Sequence, residues 1–380
     1  MPEGGDLPLP RREPYHPTIM HVTALERANV SYRYVASSAI EAFLGLPKPR
    51  IQLVRAATDL VAVARLDAAV SFPGIDGWDA LVESTDGTVL LQCVEPDRLL
   101  PRSGLSYDPN ARHLYDPHGE YEAIKTVRQL WRQSQVDYLL ESADLPQLSA
   151  HGVAQAVEYL ARLPVRCRLP EGTLQSAHVH ADRLLLTRVL SGRYAWRGLR
   201  ALQKIGYLDQ VIPELAGMDG TEQSKEHHPE GDVWQHTLET LRYRKTPDVV
   251  VGLALLFHDV GKPGAQSTKA HRFHRHAERG SYLARKRLDR LGFASQVVED
   301  VAWLVEHHMM PGALDRLPDH RRDPLMASPL FPQLLEVYRC DLLSTYRPPD
   351  GYHRACSVYR RYLKRSGRGK LGDALRVYVE

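Results

Sequence analysis

Cysteine is scarce in this chain of 380 residues, and its four cysteines lie far apart, at positions 93, 167, 340 and 356. None forms a CxxC pair, which excludes a zinc knuckle built on paired thiolates and gives no disulfide framework of the kind found in small secreted domains. A chain of this length accommodates roughly two or three domains with sizeable cores. The sequence therefore predicts a fold held by buried apolar surface rather than by cross-links.

Long apolar runs are also absent. The longest covers residues 249–257, which is far shorter than the stretch of about 20 residues that spans a membrane. The first thirty residues contain acids, prolines and histidines and lack the apolar segment of a signal peptide. We therefore expect a cytoplasmic protein without a membrane partner, and the sequence leaves its oligomeric state open.

Net charge is small, at +3, but the basic residues are unevenly distributed. Residues 181–204 and 353–380 are both strongly basic, which is typical of a surface that binds a polyanion, although a solvated helix face explains either segment alone. Tyr359 and Tyr362 add flat rings on which unstacked bases can lie. The candidate contacts to nucleic acid are Arg183, Arg188, Arg193, Arg197, Arg200, Lys204, Arg360, Arg361 and Lys364.

Patterning along the chain predicts an α+β domain followed by helices. Residues 1–18 are rich in proline, glycine and charge and predict a disordered lead-in. Residues 19–130 mix helical runs with the strand-like runs "YRYVAS", "RIQLV" and "TVLLQCVEP". After them we expect a helical neck and body at 131–225, an all-helical bundle at 226–345 and a basic tail at 346–380.

Half of the 18 histidines fall between residues 227 and 308. Helical periodicity places His236, His276, His308 and Asp341 on otherwise apolar faces of four predicted helices, whereas His307 points about 100° away from His308. A lone histidine on such a face is usually a hydrogen-bonded core residue. Several in one domain, together with a carboxylate, favour a metal, because a metal satisfies all these buried groups at once.

The longest apolar run ends on His258 and Asp259, which are adjacent and can reach the same ion. The segments "DVWQHTLETL", "LALLFHDVGKP", "HRHAERGSYLA" and "LVEHHMMP", with Asp341, resemble the HD superfamily of metal-dependent phosphohydrolases in the order H…HD…H…H…D. The resemblance implies a helical bundle in which four residues surround one metal and two more extend the site to a second. The first set is His236, His258, Asp259 and Asp341, and the second is His276 with either His308 or His307.

The mixed nitrogen and oxygen ligands suit one or two ions of Mn, Fe, Ni, Co or Zn better than Mg, which remains possible. Catalytic roles are expected for Asp259, for Lys262 as a phosphate-binding cation, and for His228 as a proton donor to the leaving oxygen. Lys262 is otherwise a cation at a helix end, and His228 a surface or outer residue. Asp232 either orients a ligand imidazole or is an acid at a helix N-terminus.

A second resemblance covers more of the chain. The segment "LLLTRVLSGRYAWRGLRALQKIGYLDQVIPELAGM" and the fainter "LSYDPNARHLYDPHGEYEAIK" are similar to class II tRNA nucleotidyltransferases and poly(A) polymerases. The resemblance implies a nucleotidyltransferase head, and a neck that faces tRNA. The head departs from that family, because Ser37 and Ser38 stand where glycines are expected and "RIQLV" where a D-x-D pair belongs. Arg102 is followed by serine instead of the expected aspartate.

No Asp or Glu occurs between Glu41 and Asp59, and two-metal nucleotidyl transfer needs carboxylates to hold its ions. We therefore expect a degenerate head, unless Asp59 or Asp67 serves instead. The function that follows is a metal-dependent phosphohydrolase or phosphodiesterase acting on nucleotides or RNA ends, with tRNA or RNA 3′ ends as partners. The alternatives are an active tRNA nucleotidyltransferase or poly(A) polymerase, and a non-catalytic RNA-binding protein with a structural metal.

Overall fold

The protein was analysed as a computed structural model, and its chain divides into two compact units, residues 1–71 with 80–143 and residues 72–79 with 144–380. The predicted lead-in at 1–18 lies outside the residues that the structure describes. Those residues are 22–45, 51–75, 77–84, 87–102, 105–117, 153–163, 174–176, 178–223, 229, 231–265, 273–346, 348–367 and 371–379.

A seven-stranded sheet forms the centre of the first unit, in the order β3-β4-β5-β2-β1-β6-β7. Only β2 and β5 run parallel among its pairs of described strands. In chain order the strands are β1 (Tyr32–Val35), β2 (Ile51–Ala57), β3 (Ala69–Ser71), β4 (Ala80–Ser84), β5 (Gly87–Val94), β6 (Ser106–Asp108) and β7 (His113–Tyr115). The three predicted strand runs are confirmed as β1, β2 and β5.

Among the described residues of this unit, three helices accompany the sheet: α1 (Thr23–Arg27), α2 (Ala36–Leu44) and α3 (Leu60–Val63). Helix α2 follows β1 without a linker and buries Ala39, Ile40, Phe43 and Leu44. It contacts β1, β2 and β6. The predicted run "YRYVAS" is therefore a strand only as far as Val35.

From residue 153 onward the described part of the second unit consists of helices and their connections, which confirms the predicted fold class of an α+β head followed by helices. Its first part contains α4 (Val153–Arg162), α5 (Val179–Leu190), α6 (Ala195–Lys204) and α7 (Tyr207–Val211). The rest contains α8 (Val233–Arg242), α9 (Val249–Phe257), α10 (His276–Arg290), α11 (Ser295–His307), α12 (Asp319–Ala327), α13 (Phe331–Ser344), α14 (Asp350–Arg365) and α15 (Asp373–Arg376).

Helix α9 is the central element of this unit. Its sequence VVVGLALLF is apolar on every side, as is typical of a helix enclosed by others. Asp248 caps its N-terminus, where the carboxylate accepts from the backbone N–H groups of Val250 and Val251. Helices α5, α8, α10, α11 and α13 all contact it, so residues at its C-terminal end lie in the middle of the bundle.

Residues 350–367 and 371–379 contribute to the core of the same unit. Tyr359 and Tyr362 are only 3% and 8% exposed, and Tyr378 and Val379 are buried as well. The prediction that Tyr359 and Tyr362 offer free faces to nucleic-acid bases is therefore wrong. The physical reason is the amphipathic period of α14, which turns its tyrosines inward and its cations outward.

Candidate metal centre

Five helices of the second unit bring the predicted ligands to one buried place. His236 lies within α8, His258 and Asp259 directly follow α9, and Asp341 lies in α13. His276 begins α10 and His308 directly follows α11. All are buried except Asp341, whose side chain is 24% exposed. That carboxylate marks the side on which the centre meets solvent.

The turn after α9 explains how the elements approach so closely. The helix ends at Phe257 and its C-cap is His258, so the imidazole enters the core where the apolar run stops. A Cβ on Gly261 would lie 2.1 Å from the His276 carbonyl oxygen. Gly280 faces the same turn, but an added Cβ there would meet Val305 Cγ1 at 3.2 Å and the His258 carbonyl oxygen only at 3.5 Å, an ordinary contact. Glycine at position 261 lets α10 pack directly on the His258–Asp259 turn.

Asp259 joins two groups of candidate ligands, whose ligand atoms lie within 4.8 Å of one another in each group. One group is His236, His258 and Asp259, and the other is Asp259, His276 and His308. Asp259 Oδ2 lies 3.2 Å from His258 Nε2, while its Oδ1 lies 3.4 Å from His276 Nε2. Asp341 Oδ1 lies 3.1 Å from His236 Nε2 and adds a second carboxylate to the first group.

Backbone carbonyls fix the tautomers of three of the imidazoles. Each of these three imidazoles donates from its Nδ1 to the carbonyl oxygen of the residue three positions earlier. The pairs are His258 with Leu255 at 2.7 Å, His276 with Phe273 at 2.8 Å and His308 with Val305 at 2.7 Å. A carbonyl oxygen can only accept, so each Nδ1 carries a proton, and in the neutral form of each ring Nε2 keeps a lone pair. This is the arrangement found around metal-ligating histidines.

Ser344 fixes the fourth imidazole in the same way. Its hydroxyl donates to the Asp341 carbonyl oxygen at 2.6 Å, so its oxygen accepts from His236 Nδ1 at 3.2 Å. In the neutral rings the lone pairs of His236 Nε2 and His258 Nε2 face each other across 3.2 Å. Two such lone pairs repel unless a proton or a metal ion lies between them, and this donor set fits a divalent ion of the predicted kind.

The protonation states of these groups favour the binding of a cation. Burial acts to raise the pKa of Asp259, but His258 and Lys262 outweigh it and hold that pKa well below its ordinary value. Burial likewise acts to raise the pKa of Asp341, and His236 reverses the effect, so that this carboxyl is also ionised. Burial, reinforced by His258, lowers the pKa of His308 to about 4 and leaves it neutral near pH 7.

The structure distinguishes His308 from His307. His308 is buried in the centre, where its ring lies 5.3 Å from that of His276. His307 stacks on Trp303 with ring centroids 4.6 Å apart and bonds its carbonyl. We therefore remove His307 from the set of candidate ligands, because its ring is turned away.

Of the other predicted catalytic residues, Lys262 is buried beside the centre, with Nζ 2.6 Å from Asp259 Oδ2. His228 lies outside the described residues. Asp232 caps α8 by accepting from Gln235 N at 2.9 Å, which confirms the interpretation as an acid at a helix N-terminus. Sequence reasoning missed Ser344 and also Gln223, whose Oε1 accepts from Lys262 Nζ at 2.6 Å.

Of the basic residues predicted to contact nucleic acid, three make contacts within the protein and the others are exposed. Arg188 is 1% exposed and paired with Glu158 at 2.7 Å, so we remove it from the candidates for nucleic-acid binding. Arg183 donates to the Gly292 carbonyl, and Arg197 to the Leu163 carbonyl. The remaining candidates are exposed: Arg193, Arg200, Lys204, Arg360, Arg361 and Lys364.

In the head, the central strands β1, β2 and β5 carry no Asp or Glu. Asp59 instead caps α3 by accepting from Ala62 N, and Asp67 is 97% exposed. Ala36 adopts a left-handed conformation, with φ +52°, at the turn where β1 meets α2. That conformation favours glycine, but Ser37 and Ser38, where glycines were expected, are not among the residues with positive φ.

Comparisons with known proteins find a family that matches the helices around the candidate metal centre, and relatives that are similar over longer stretches of the chain. Residues 233–345 match the family described as HD domain. The "CC-adding tRNA nucleotidyltransferase" of Thermus thermophilus is 38% identical over 173 residues, which are 42% of this chain and only 38% of that enzyme. The "Multifunctional CCA protein" of Xanthomonas campestris pv. campestris is 27% identical over 80% of this chain and 71% of its own length.

Among solved structures, the Bacillus stearothermophilus CCA-adding enzyme in complex with CTP aligns with 90% of this chain and 80% of its own, at 15% identity and a TM-score of 0.46. Among the described residues, no helix is both long and apolar enough to cross a membrane. The chain thus contains an HD domain at residues 233–345 and is similar in sequence to tRNA nucleotidyltransferases.

Proposed function

We propose that the HD domain is a metal-dependent phosphohydrolase or phosphodiesterase that acts on nucleotides or RNA ends. The observation that supports this most is the convergence of four imidazole Nε2 atoms with two ionised carboxylates, with every tautomer fixed from behind. Such a set is costly to bury without a cation. A structural metal alone would not need an exposed ligand, and Asp341 is partly open to solvent.

His236, His258, Asp259 and Asp341 would hold one ion, and His276 and His308 would share Asp259 with a second. One or two divalent cations, when bound, would stabilise charge on phosphoryl oxygens and acidify a water molecule. The residues themselves fix the position of the reaction, exclude solvent on the α9 side and offer the Lys262 ammonium to a negatively charged oxygen. We infer a transition metal (Mn, Fe, Ni, Co or Zn) from the mixed ligand set, with Mg possible.

Metal analysis tests this proposal directly. We expect the purified protein to contain a transition metal, and Asp259→Ala to lose both the metal and the hydrolysis of phosphomonoesters or 2′,3′-cyclic nucleotides. The carboxylate contacts both ligand groups, so neither group is complete without it. Stoichiometric metal retained by a His258→Ala, Asp259→Ala double variant would contradict the proposal. Gln296→Ala, on the exposed face of α11, is the control.

Nucleotidyl transfer is the second candidate function, and the relatives favour it over hydrolysis, because their names are those of CC-adding and CCA proteins. The chain's own residues favour hydrolysis. Two-metal transfer needs carboxylates on the head's central strands, and β1, β2 and β5 have none. We therefore expect no incorporation of CTP or ATP into tRNA with Mg²⁺. Addition of even one nucleotide by the pure protein would establish the second candidate.

RNA is the partner that both candidates share. The exposed cations Arg193, Arg200 and Lys204 lie on or beside α6, where Arg200 also stacks on Trp196 at 5.4 Å. Arg360, Arg361 and Lys364 form a second group on α14. Cations of this kind bind phosphates and release counterions, and an aromatic–guanidinium pair also stacks on bases. We propose tRNA or RNA 3′ ends as the ligand because the similar proteins are named for tRNA.

A further inference from the structure

Gln223 is a buried neutral residue at the edge of the candidate metal centre, and the mechanism above does not use it. It is 6% exposed, and its Oε1 accepts from Lys262 Nζ at 2.6 Å. The same ammonium lies 2.6 Å from Asp259 Oδ2 and 5.7 Å from the centroid of the Phe273 ring. Gln223 is therefore linked to the centre through a single cation.

The segment that carries Gln223 is fixed to the start of α8. Gly220 N donates to Asp232 Oδ2 at 2.9 Å, and Val233 N donates to the Thr221 carbonyl oxygen at 3.1 Å. Gly220 has φ +77°, a left-handed conformation that permits the turn. Since Asp232 also caps the helix that carries His236, the position of Gln223 is coupled to that of a ligand.

The carboxamide of Gln223 is only half satisfied. Its Nε2 is buried and meets no hydrogen-bond acceptor in the part of the chain that the structure describes. Lys262 fixes the orientation of the amide, because its Nζ can only donate and therefore faces Oε1. A buried donor without an acceptor is unfavourable, and a bound ligand or water molecule would complete it.

We propose that Gln223 is a substrate-binding residue of the HD centre. Its Oε1 positions Lys262, which binds the phosphoryl group of the substrate, and its Nε2 donates to an oxygen of that phosphoryl group. The inference rests on the proposed function and adds a neutral donor to the charged groups of that site. A carboxamide suits this place because it can accept from a cation and donate to an anion at once. Glutamate has the same size and would still hold Lys262, but it would repel the phosphoryl oxygens.

Binding of inorganic phosphate to the Mn²⁺-loaded protein tests the role of Gln223 without relying on turnover. We expect Gln223→Met to weaken phosphate binding about tenfold in calorimetric titration, as expected when a hydrogen bond to a charged ligand is lost. Gln223→Glu should weaken binding further, although it keeps the acceptor for Lys262. Gln296→Met, an exposed glutamine of α11, should bind phosphate as the wild type does.

Metal content and melting temperature separate substrate binding from a structural role. Both should stay at wild-type values in Gln223→Glu, which conserves side-chain size and the contact with Lys262. Wild-type phosphate affinity in Gln223→Met and Gln223→Glu would overturn the inference. If Gln223→Met fails to fold, unchanged phosphate binding by the isosteric glutamate variant still refutes the inference, and weakened binding supports a position of this side chain beside the phosphoryl oxygens.

Failure of this inference and failure of the proposed function give different results. A wild-type protein that hydrolyses none of the phosphoesters, yet binds phosphate in a Gln223-dependent manner, would refute the hydrolase and support the role of Gln223. Hydrolysis of a small phosphodiester with an unchanged KM in Gln223→Met would support the hydrolase and refute the role of Gln223. A raised KM with retained metal supports both the hydrolase and the role of Gln223.

Discussion

At the scale of single residues, the centre depends on the hydrogen bonds behind each imidazole as much as on the ligands themselves. His258, His276 and His308 use backbone carbonyls for this purpose, so no substitution removes those acceptors. His236 instead depends on a side chain, the hydroxyl of Ser344, which is 108 positions away along the chain. This is the point at which the tautomer of a ligand can be disturbed by mutation.

We predict that Ser344→Ala weakens metal binding by about 10- to 100-fold, the range typical of lost outer partners of ligand histidines. Without the acceptor, His236 is free to place its proton on Nε2, which then no longer binds a cation. Competition with a fluorescent chelator measures the affinity. Ser357→Ala, which removes an exposed hydroxyl of α14, is the matched control. Equal affinities in the two variants would contradict the argument.

The sequence could predict the ionisable members of this site, because each lies on an apolar helical face or directly beyond one. The 100° step separates His308 from His307, but the sequence alone left either of them as the ligand. Gln223 and Ser344 gave no such signal. Gln223 is neutral and lies in an irregular segment, and the role of Ser344 arises only when α13 packs on α8.

At the scale of elements, periodicity found the helices, whereas backbone conformation decided where they begin. Helix α10 begins at His276, because Arg275 before it is left-handed, with φ +56°. Ser295, a residue type that favours the N-cap, is instead the first residue of α11, and Ala294 occupies the cap without a side-chain bond. Conformations of this kind are set by tertiary packing, so the sequence gives little indication of them.

Ala36 provides a prediction at this scale, because it places a β-carbon where the β1–α2 turn requires positive φ. A left-handed residue other than glycine costs about 1–2 kcal/mol. We predict that Ala36→Gly raises the free energy of unfolding by up to about 1 kcal/mol, because it removes the backbone strain at this turn. The gain is smaller than the strain itself, since glycine also increases the entropy of the unfolded chain. Chemical denaturation followed by circular dichroism measures the change.

Ala42→Gly is the control for this measurement, because it makes the same substitution within α2 at a position that lacks positive φ. Glycine inside a helix should lower the free energy of unfolding by about 1 kcal/mol. The two substitutions are therefore expected to have opposite signs. A loss of stability in both would show that the turn at Ala36 is not strained.

At the scale of the whole molecule, the C-terminal residues are part of the helical unit rather than an appendage. Lys245 Nζ donates to the Val377 carbonyl oxygen at 2.7 Å and to the Tyr352 hydroxyl at 3.0 Å. The Tyr352 hydroxyl in turn donates to the Tyr378 carbonyl oxygen at 3.0 Å. Deleting residues 359–380 would therefore remove part of the core, so a truncation cannot separate nucleic-acid binding from folding. Substitution of exposed cations can.

Arg361 and Lys364 are the suitable pair, because both are exposed on α14, whereas Arg360 also donates to the Val379 carbonyl. If α14 contacts RNA, Arg361→Gln with Lys364→Gln should weaken binding and reduce the slope of log K against log salt. Each lost phosphate contact changes that slope by about 0.7 for single strands and 0.9 for duplex. The melting temperature and the hydrolysis of a small phosphodiester should not change, since the tyrosines of α14 and the metal centre stay intact.

Lys286→Gln with Arg290→Gln is the matched control for this prediction. It removes the same two charges from exposed positions on α10, outside the two cationic groups assigned to RNA. A purely non-specific effect of net charge would lower the salt slope equally in both double variants. A slope lowered only in the α14 variant assigns the contact to that helix. A wild-type slope in the α14 variant would show that Arg361 and Lys364 are solvated charges and that RNA binds elsewhere.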